Sequence, residues 1–408
     1  MDEGHAVSIL TTKRRGVTEL SSLNGLKVYR AGYNTLLDRI YDLLNSKKRR
    51  NEEGYSPSGG AGIATAMIQG MANKFWRNSY WPDGSKLFLK PGIKLGHDII
   101  TKDKIEKVIS VGLPFTCHWI AKHLKEKFPQ LHWVMDIQDP FCYSKEFRVN
   151  NFNKYQKKNI EAEAETFKLA DQISITNHRA KEKYEEYFQE HMEKVTVIPP
   201  LFNLPDGDEY YYMYLFSQKI HIGYFGSFYE GVRSPKVFFD FIEYIWNKDK
   251  SLLDKYQFHI VGQLDRGTEA LFESYPEIRR CFVVHGFMNR VKTLSAMKQV
   301  DVLLNFGNST DYHLPSKVVD YLYFKKPIIN ISSIDNDSTV GFFKDESVSF
   351  LNLQLQETKF QTQASQFFEF LEADTETEQE LNHNRIKDFA TPQIAKAYLA
   401  LLDSSSEG

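Results

Sequence analysis

Cysteine is nearly missing. Three residues in 408, Cys117, Cys142 and Cys281, lie far apart and in no metal-binding spacing. An odd, scattered set builds neither a disulfide framework nor a zinc site, and a reducing cytoplasm suits it. Net charge is missing too. With 51 Lys+Arg against 53 Asp+Glu, the chain lacks the cationic surplus that wraps a nucleic acid, so no nucleic-acid partner is expected. No apolar run approaches the ~18–20 residues that span a bilayer. The amino terminus, Met1-Asp2-Glu3-Gly4-His5, is acidic and holds no signal-peptide core. Aromatic residues, by contrast, are plentiful: 30 Phe and 22 Tyr. Large cores account for most of them and leave a share to line a sugar or lipid surface. A length of 408 residues at ~100–200 per domain means two or three domains.

Short β-branched runs alternate with helical periods. In the front half His5–Thr11, Lys27–Arg30, Lys107–Gly112, His132–Asp136, Gln172–Thr176 and Lys194–Ile198 read as strands. Lys107–Gly112 has the continuous apolar character of a strand buried on both faces. One helical pattern carries Trp119, Ile120, His123 and Leu124 on a single stripe, and another covers Lys154–Ala170. Pro199-Pro200 closes the series, and the aperiodic stretch 203–217, with Pro205, Gly207 and four tyrosines, reads as a linker. A second series follows at once: Lys219–Phe225, Gln257–Val261, Cys281–Val284, Val300–Asn305 and Pro327–Ile331. Such alternation means βαβ units and parallel sheets. The expected fold class is α/β, with two Rossmann-like doubly wound domains. Residues 1–202 form the first and 218–390 the second, while 391–408 supply a helix that crosses back to the first domain, and a tail. Segment Asn34–Gly96 departs from the rhythm with Lys47-Lys-Arg-Arg50, the Gly-rich Ser58–Gly62, Phe75-Trp76 and Tyr80-Trp81. It reads either as a surface loop and helix or as an acceptor-binding or membrane-facing insertion.

In open α/β sheets, ligands sit beyond the carboxyl ends of strands and near helix N-termini. There the second half places Gly226-Ser227, with Arg233 just before a helix that opens at Pro235. Glycine lets backbone approach a phosphate, and arginine neutralises it. Val261-Gly262 and His285-Gly286 repeat the strand-then-glycine pattern, which points to a single crevice. The most informative stretch runs from Asn305 to Leu322. Pro315 suits a first helical turn, Val318, Val319 and Leu322 form its buried stripe, and Lys317, Asp320 and Tyr321 share another face. Lysine and free amides at a helix start, with a carboxylate one turn inside, suit a nucleoside diphosphate: Lys317 for phosphate, Asp320 for ribose. A solvated helix with a Lys–Asp pair fits the same spacing.

These segments, with Asp301-Val-Leu-Leu and Lys326-Pro327-Ile-Ile, resemble the donor domain of family 4 glycosyltransferases, which have the GT-B fold. In the first half, Gly4-His5-Ala-Val-Ser-Ile-Leu-Thr-Thr looks like the family's "G-H-x-V-x-V-L-T". Tyr80-Trp81-Pro82-Asp83, the run from Gly112 to His118, and Asp136-Ile-Gln-Asp139-Pro140-Phe141 resemble the subgroup that makes bacterial polysaccharides. The resemblance spans essentially the whole chain and implies two domains facing a cleft. Three departures stand out. Ser227 and Arg233 replace the family's Arg and Lys beyond Gly226. The paired glutamates are reduced to Asp320 in the second place and Tyr312 in the first, flanked by Asp311 and His313. The family's first strand, glycine loop and helix have no counterpart, so the first βα unit is expected to be missing.

The resemblance implies a retaining transferase that moves a sugar from a nucleotide-diphosphate sugar to a carbohydrate or lipid-linked acceptor, with front-face attack. Arg233 and Lys317 would stabilise the leaving diphosphate. The rest of the expected donor site is Gly226, Ser227, Gly262, Gly286, His313, Pro315, Ser316 and Asp320, and Asp139 would meet the acceptor. No cofactor and no metal is expected. Asp206-Gly-Asp208 and Asp335-Asn-Asp337 match the D-x-D pattern that holds a divalent ion in another glycosyltransferase fold, but both fall in loop-like stretches. The basic and aromatic clusters of 34–96 motivate peripheral contact with the inner membrane surface. A non-hydrolysing sugar-nucleotide epimerase and a non-catalytic partner subunit stay open as alternatives.

Overall fold

In a computed structural model of the protein, the alternation of short β-rich runs and helical periods becomes a series of mostly parallel strands and covering helices. The structure describes residues 4–13, 20–23, 25–33, 39, 80–146, 149–204, 212–213, 215, 218–228, 231–344, 348–373 and 385–404. The Lys47–Arg50, Ser58–Gly62, Phe75-Trp76 and Asp206–Asp208 segments lie outside them. The chain divides into two compact units, the first made of 1–175, 184–197 and 400–408 and the second of 176–183 and 198–399.

Unit 1 opens with β1 (Ser8–Lys13), β2 (Leu20–Leu23) and β3 (Leu26–Tyr33). β3 pairs with β1 in parallel and with β2 in antiparallel register. A second sheet, all parallel, has the order β4 (Lys107–Gly112), β5 (His132–Ile137), β6 (Gln172–Ile175), β7 (Val195–Val197). The end of the stretch 34–96 forms helix α1 (Lys86–Asp103), which runs on to Asp103 despite Pro91 inside it. α1 packs against α2 (Thr116–Lys127). A Cβ at Gly92 would come within 2.5 Å of Ile120 Cδ1, and one at Gly96 within 2.8 Å of Leu124 Cδ1, so the two glycines set the closeness of the pair. The buried stripe of α2 runs through His118, Ile120, Ala121 and Leu124. That displaces the expected one: His118 takes the buried place, and His123 lies on a more open side. His118 Nδ1 sits 2.8 Å from Ser110 Oγ, which also accepts from the fully buried Trp133 indole. Burial pushes the His118 imidazole down to about 3, so it is neutral.

Helix α3 (Phe152–Leu169) belongs to this half, and α4 (His178–Phe188) joins it from Tyr184 on. Glu163 of α3 is fully enclosed. Its carboxylate accepts from Tyr184 Oη at 2.7 Å and from the Cys142 amide at 2.7 Å. Burial outweighs these donors and pushes the carboxyl from 4.5 up to about 7. A raised native value means that the folded chain holds this proton more tightly than the unfolded one. The resulting stability is complete below about 4.5 and is lost as pH rises through about 7, a change of about 3 kcal/mol. Denaturant melts between pH 4 and 8 should therefore show wild type losing about that much relative to Glu163→Gln. Parallel pH profiles would rule this role out.

Unit 2 is a six-stranded parallel sheet: β8 (Ile220–Phe225), β9 (Tyr256–Val261), β10 (Phe282–Gly286), β11 (Val302–Phe306), β12 (Ile328–Ile331) and β13 (Phe350–Leu353). The spatial order is β10-β9-β8-β11-β12-β13. The chain builds outward from β8 to one edge, then returns to β11 on its other side, so the order reverses between β8 and β11. The carboxyl ends of those two strands form the crevice where doubly wound sheets bind ligands. The helices are α5 (Lys236–Asp249), α6 (Arg266–Glu273), α7 (Arg290–Gln299), α8 (Lys317–Phe324), α9 (Ser338–Phe343), α10 (Phe360–Glu372) and α11 (Thr391–Asp403). Much of the phenylalanine surplus packs this unit's core. Phe238, Phe239, Phe241, Phe258, Phe282 and Phe306 share one buried cluster and meet edge to face or stacked. The last residues of α11 group with unit 1, where Asp403 pairs with Lys107 and the Leu401 carbonyl meets His132 Nε2 at 2.8 Å. Among the described residues no helix is long and apolar enough to cross a membrane.

Candidate functional site

Three strand ends meet at the crevice of unit 2. The Gly226 amide donates to the Val261 carbonyl at 2.8 Å, and the Gly262 amide donates to the Gly286 carbonyl at 2.9 Å. A Cβ at Gly262 would lie 2.0 Å from the Gly226 carbonyl oxygen, so the close approach of β9 to the β8 turn excludes every side chain. Gly286 is needed for a different reason. Nothing crowds it, but its φ of +74° is a left-handed conformation. The structure thus brings together the three glycines that the sequence placed at strand ends.

Two cations converge on the same turn. Lys317 is the first residue of α8, and its Nζ is buried with no hydrogen-bond partner. It stands 3.8 Å from the centre of the Tyr224 ring and 5.9 Å from that of Tyr321. Burial first, and Arg233 second, hold its ammonium well below the ordinary lysine range, while Asp337 opposes them. Arg233 donates to Asn308 Oδ1 at 2.6 Å and more loosely to the Ser227 carbonyl at 3.3 Å and Tyr224 Oη at 3.4 Å. Its Nε is buried and also lacks a partner. Buried donors left unsatisfied are rare and costly. Two of them, on like-charged groups around one aromatic ring, make a site that an anion would complete.

The neighbouring residues brace this arrangement. The His313 carbonyl accepts from Asn308 Nδ2 at 2.9 Å and from Ser338 Oγ at 2.8 Å, and its Nδ1 lies 2.8 Å from Thr310 Oγ1. Burial lowers the imidazole to about 3, so His313 is neutral and holds the loop ahead of α8. α8 begins at Lys317 with Ser316 at its cap. Pro315 therefore lies outside the helix instead of in its first turn, and its carbonyl accepts the Val318 amide. Nor does α8 have a solvated face, because Asp320 and Tyr321 are buried along with Val318, Val319 and Leu322.

Asp320 is held in a fork by Arg290, the first residue of α7, at 2.7 and 3.1 Å. Sequence spacing did not reveal this partner. Any ribose contact by Asp320 is made with both its oxygens already engaged by a guanidinium. Asp337 Oδ1 caps α9 by accepting the Thr339 amide, and Oδ2 accepts from Asn330 Nδ2 at 3.1 Å. Asp335 accepts from Gln354 Nε2. These contacts account for the D-x-D match as a helix cap beside a surface contact. Among the described residues no three His, Cys, Asp or Glu side chains group to hold a metal ion.

Asp139 belongs to unit 1, two residues beyond β5, where burial raises its carboxyl. Asp83, which sequence reasoning left without a role, is a buried brace there. It accepts from the Ser85 amide, the Thr116 amide and Thr116 Oγ1 at 2.7–2.8 Å.

No protein-family model and no curated protein sequence matches the chain. Solved structures do. HepE of Anabaena, crystallised with UDP and glucose, superposes with a TM-score of 0.55 at 12% identity over 98% of this chain and 100% of that one. The apo structure of OtsA gives 0.57 at 9% identity, covering 98% and 93%. The N-terminal domain of trehalose-6-phosphate phosphatase from Candida albicans gives 0.55 at 12%, covering 97% and 95%. Likeness at this identity speaks for the fold. The chain is an α/β protein with two Rossmann-like parallel-sheet units, the GT-B architecture.

Proposed function

We propose that the protein is a glycosyltransferase whose second unit binds the diphosphate of a nucleotide-sugar donor and whose first unit takes the acceptor. The observation that carries this reading is the pair of buried, unsatisfied donors, Lys317 Nζ and Arg233 Nε, at the β8/β11 reversal. A diphosphate there would satisfy both and favour the charged form of Lys317. That HepE is crystallised with UDP and glucose on a similar fold supports the choice of ligand.

As the bond between the sugar's anomeric carbon and the diphosphate oxygen breaks, negative charge grows on that oxygen. Arg233 and Lys317 are already in place to stabilise it, without reorganisation at the moment of reaction. The acceptor hydroxyl attacks from the face the diphosphate leaves, its proton passes to the departing phosphate, and the anomeric configuration is retained. Asp320, steadied by Arg290, addresses the ribose, and Asp139 addresses the acceptor. The transfer belongs to polysaccharide or glycoconjugate synthesis of the family 4 kind, with a carbohydrate or lipid-linked acceptor and peripheral contact with the inner membrane face. With two cations in the crevice, it proceeds without a divalent metal.

Thermal melts against a panel of nucleotide sugars test the reading. The matching donor at ~100 times its Kd should raise stability by about 2.7 kcal/mol, and sugar transfer should persist in excess chelator. If no nucleoside diphosphate raises the melting temperature, the donor site is wrongly assigned. Activity lost to chelator and restored by magnesium or manganese would overturn the metal-independent mechanism.

A further inference from the structure

Three histidines of unit 2 stand in a row across adjacent strands. His221 on β8, His259 on β9 and His285 on β10 share the sheet face that carries Phe225 and Val261, opposite the face of Ile222, Phe258 and Phe282. His221 Nδ1 lies 2.9 Å from His259 Nε2, and His259 Nδ1 lies 2.9 Å from His285 Nε2. The first two rings are buried and His285 is half-buried. Backbone sets the row. The residue paired with His259 on β8 is Gly223, which has no side chain to stand between the rings. On the other side the register of β9 and β10 shifts between Val284 and Gly286. Such an irregularity re-aims a side chain, here that of His285.

Each ring–ring bond needs an N–H facing a bare nitrogen, and neutral imidazole has one of each. With no added proton, His259 therefore donates to one neighbour and accepts from the other. One added proton leaves both bonds intact on whichever ring it sits, because the neutral rings can adopt the tautomers that pass the bonds outward from it. A second proton sets N–H against N–H at one junction, wherever it goes. Separated and exposed to water, each ring can take a proton of its own.

The charged residues on the elements around this face are Lys219 ahead of β8, Asp301 ahead of β11, Arg290, Lys292 and Lys298 of α7, Asp320 of α8, and Lys326. Asp301 accepts the His221 amide at 2.7 Å, Asp320 forks with Arg290, and Lys326 donates to the Lys298 and Val300 carbonyls. Burial first, then the charges of His285 and His221, push the His259 imidazole down to about 3. Burial lowers His285 as well.

We propose that the row is an acid-operated latch: neutral, it ties β8, β9 and β10 together, and acid opens it because separated rings bind more protons than the closed row accepts. The row ends one residue from Gly286, whose carbonyl holds the Gly262 amide, so opening loosens the carboxyl ends of β9 and β10. The latch stands on the geometry of the rings and needs no assignment of the crevice's ligand. A lowered native value means that the folded chain binds the proton less tightly than the opened one. The stability from His259 is complete above about 6.5 and is lost as pH falls from there toward about 3.

Hydrogen exchange on the full chain, corrected for the intrinsic effect of pH on exchange rates, reads the latch. Between pH 7.5 and 5, opening of residues 256–261 and 282–286 should become about 30-fold easier from His259 alone, as its value moves from about 3 to 6.5 on opening. A glutamine side chain can donate and accept but does not titrate. His259→Gln should therefore keep wild-type protection at pH 7.5 and lose most of the fall at pH 5. His285→Gln, at the more open end, is read in the same way and decides the matter should the first variant not fold. Wild-type protection that is equal at the two pH values, or a fall of the same size in the variants, would overturn the proposal.

Discussion

Replacing Lys317 with alanine is expected to weaken UDP binding by about 1.5–3 kcal/mol, the range for a hydrogen bond to a charged group. Turnover should fall further, by about 10²–10³, because the same ammonium meets charge that is fully developed only as the donor bond breaks. Burial and Arg233 hold this amine well below its usual range. A bound diphosphate pulls the other way, so binding should be accompanied by proton uptake. Calorimetry in buffers of different ionisation enthalpy would reveal that uptake in wild type, and the uptake should shrink in Lys317→Ala. Arg233→Ala should weaken binding similarly, but the two losses should not add, since both side chains surround one ring and serve one ligand. Unchanged affinity and unchanged kcat/KM in Lys317→Ala would remove the lysine from the site.

The second large effect is structural. Gly262→Ala places a methyl group 2.0 Å from the Gly226 carbonyl oxygen. The obstacle is backbone, held by the bond from the Gly226 amide to Val261, so no flexible side chain can swing aside. The ends of β8 and β9 must part. Forced overpacking costs about 1–3 kcal/mol or more, which lowers the melting temperature of a unit this size by roughly 2–4 °C per kcal/mol. UDP affinity should fall as well, because the displaced turn carries Gly226 and Ser227. Gly267→Ala is the control. Its nearest obstacle is Asp265 Oδ1 at 3.6 Å, and it sits inside α6, where alanine is favoured by up to about 1 kcal/mol. A Gly262→Ala protein that melts with wild type would show that the close approach is not structurally required.

These two residues also mark what could be read in advance. Lys317 and Gly262 were legible because their signal is local: a lysine at a helix start, a glycine at a strand end. Arg290 was not, since its partner Asp320 lies on a different helix and the fork exists only once α7 and α8 pack. Tyr224 reads as one more aromatic strand residue, and its part beneath Lys317 emerges from the turn at Gly226. In α1 the glycines and Pro91 weaken the helical pattern, so the helix within segment 34–96 has no bounds legible in the sequence. Yet those glycines are where Ile120 and Leu124 press in, a packing reason no propensity reveals. The four-residue strands β2 and β13 were too short to show a period. Asp337 read as part of a polar loop despite its D-x-D spacing, and its role as a helix cap shows only once α9 forms.

The two unsatisfied donors have a consequence for how long the protein lasts. Lys317 Nζ and Arg233 Nε are buried without a hydrogen-bond partner, a desolvation cost that falls on the Gly226-Ser227 turn and the start of α8. Proteases act on transient openings, and a ligand that closes them lengthens survival. If the crevice takes a nucleoside diphosphate as proposed, that ligand should slow cleavage in this part of unit 2. Limited proteolysis with and without UDP reads this directly, and equal cleavage rates would exclude it.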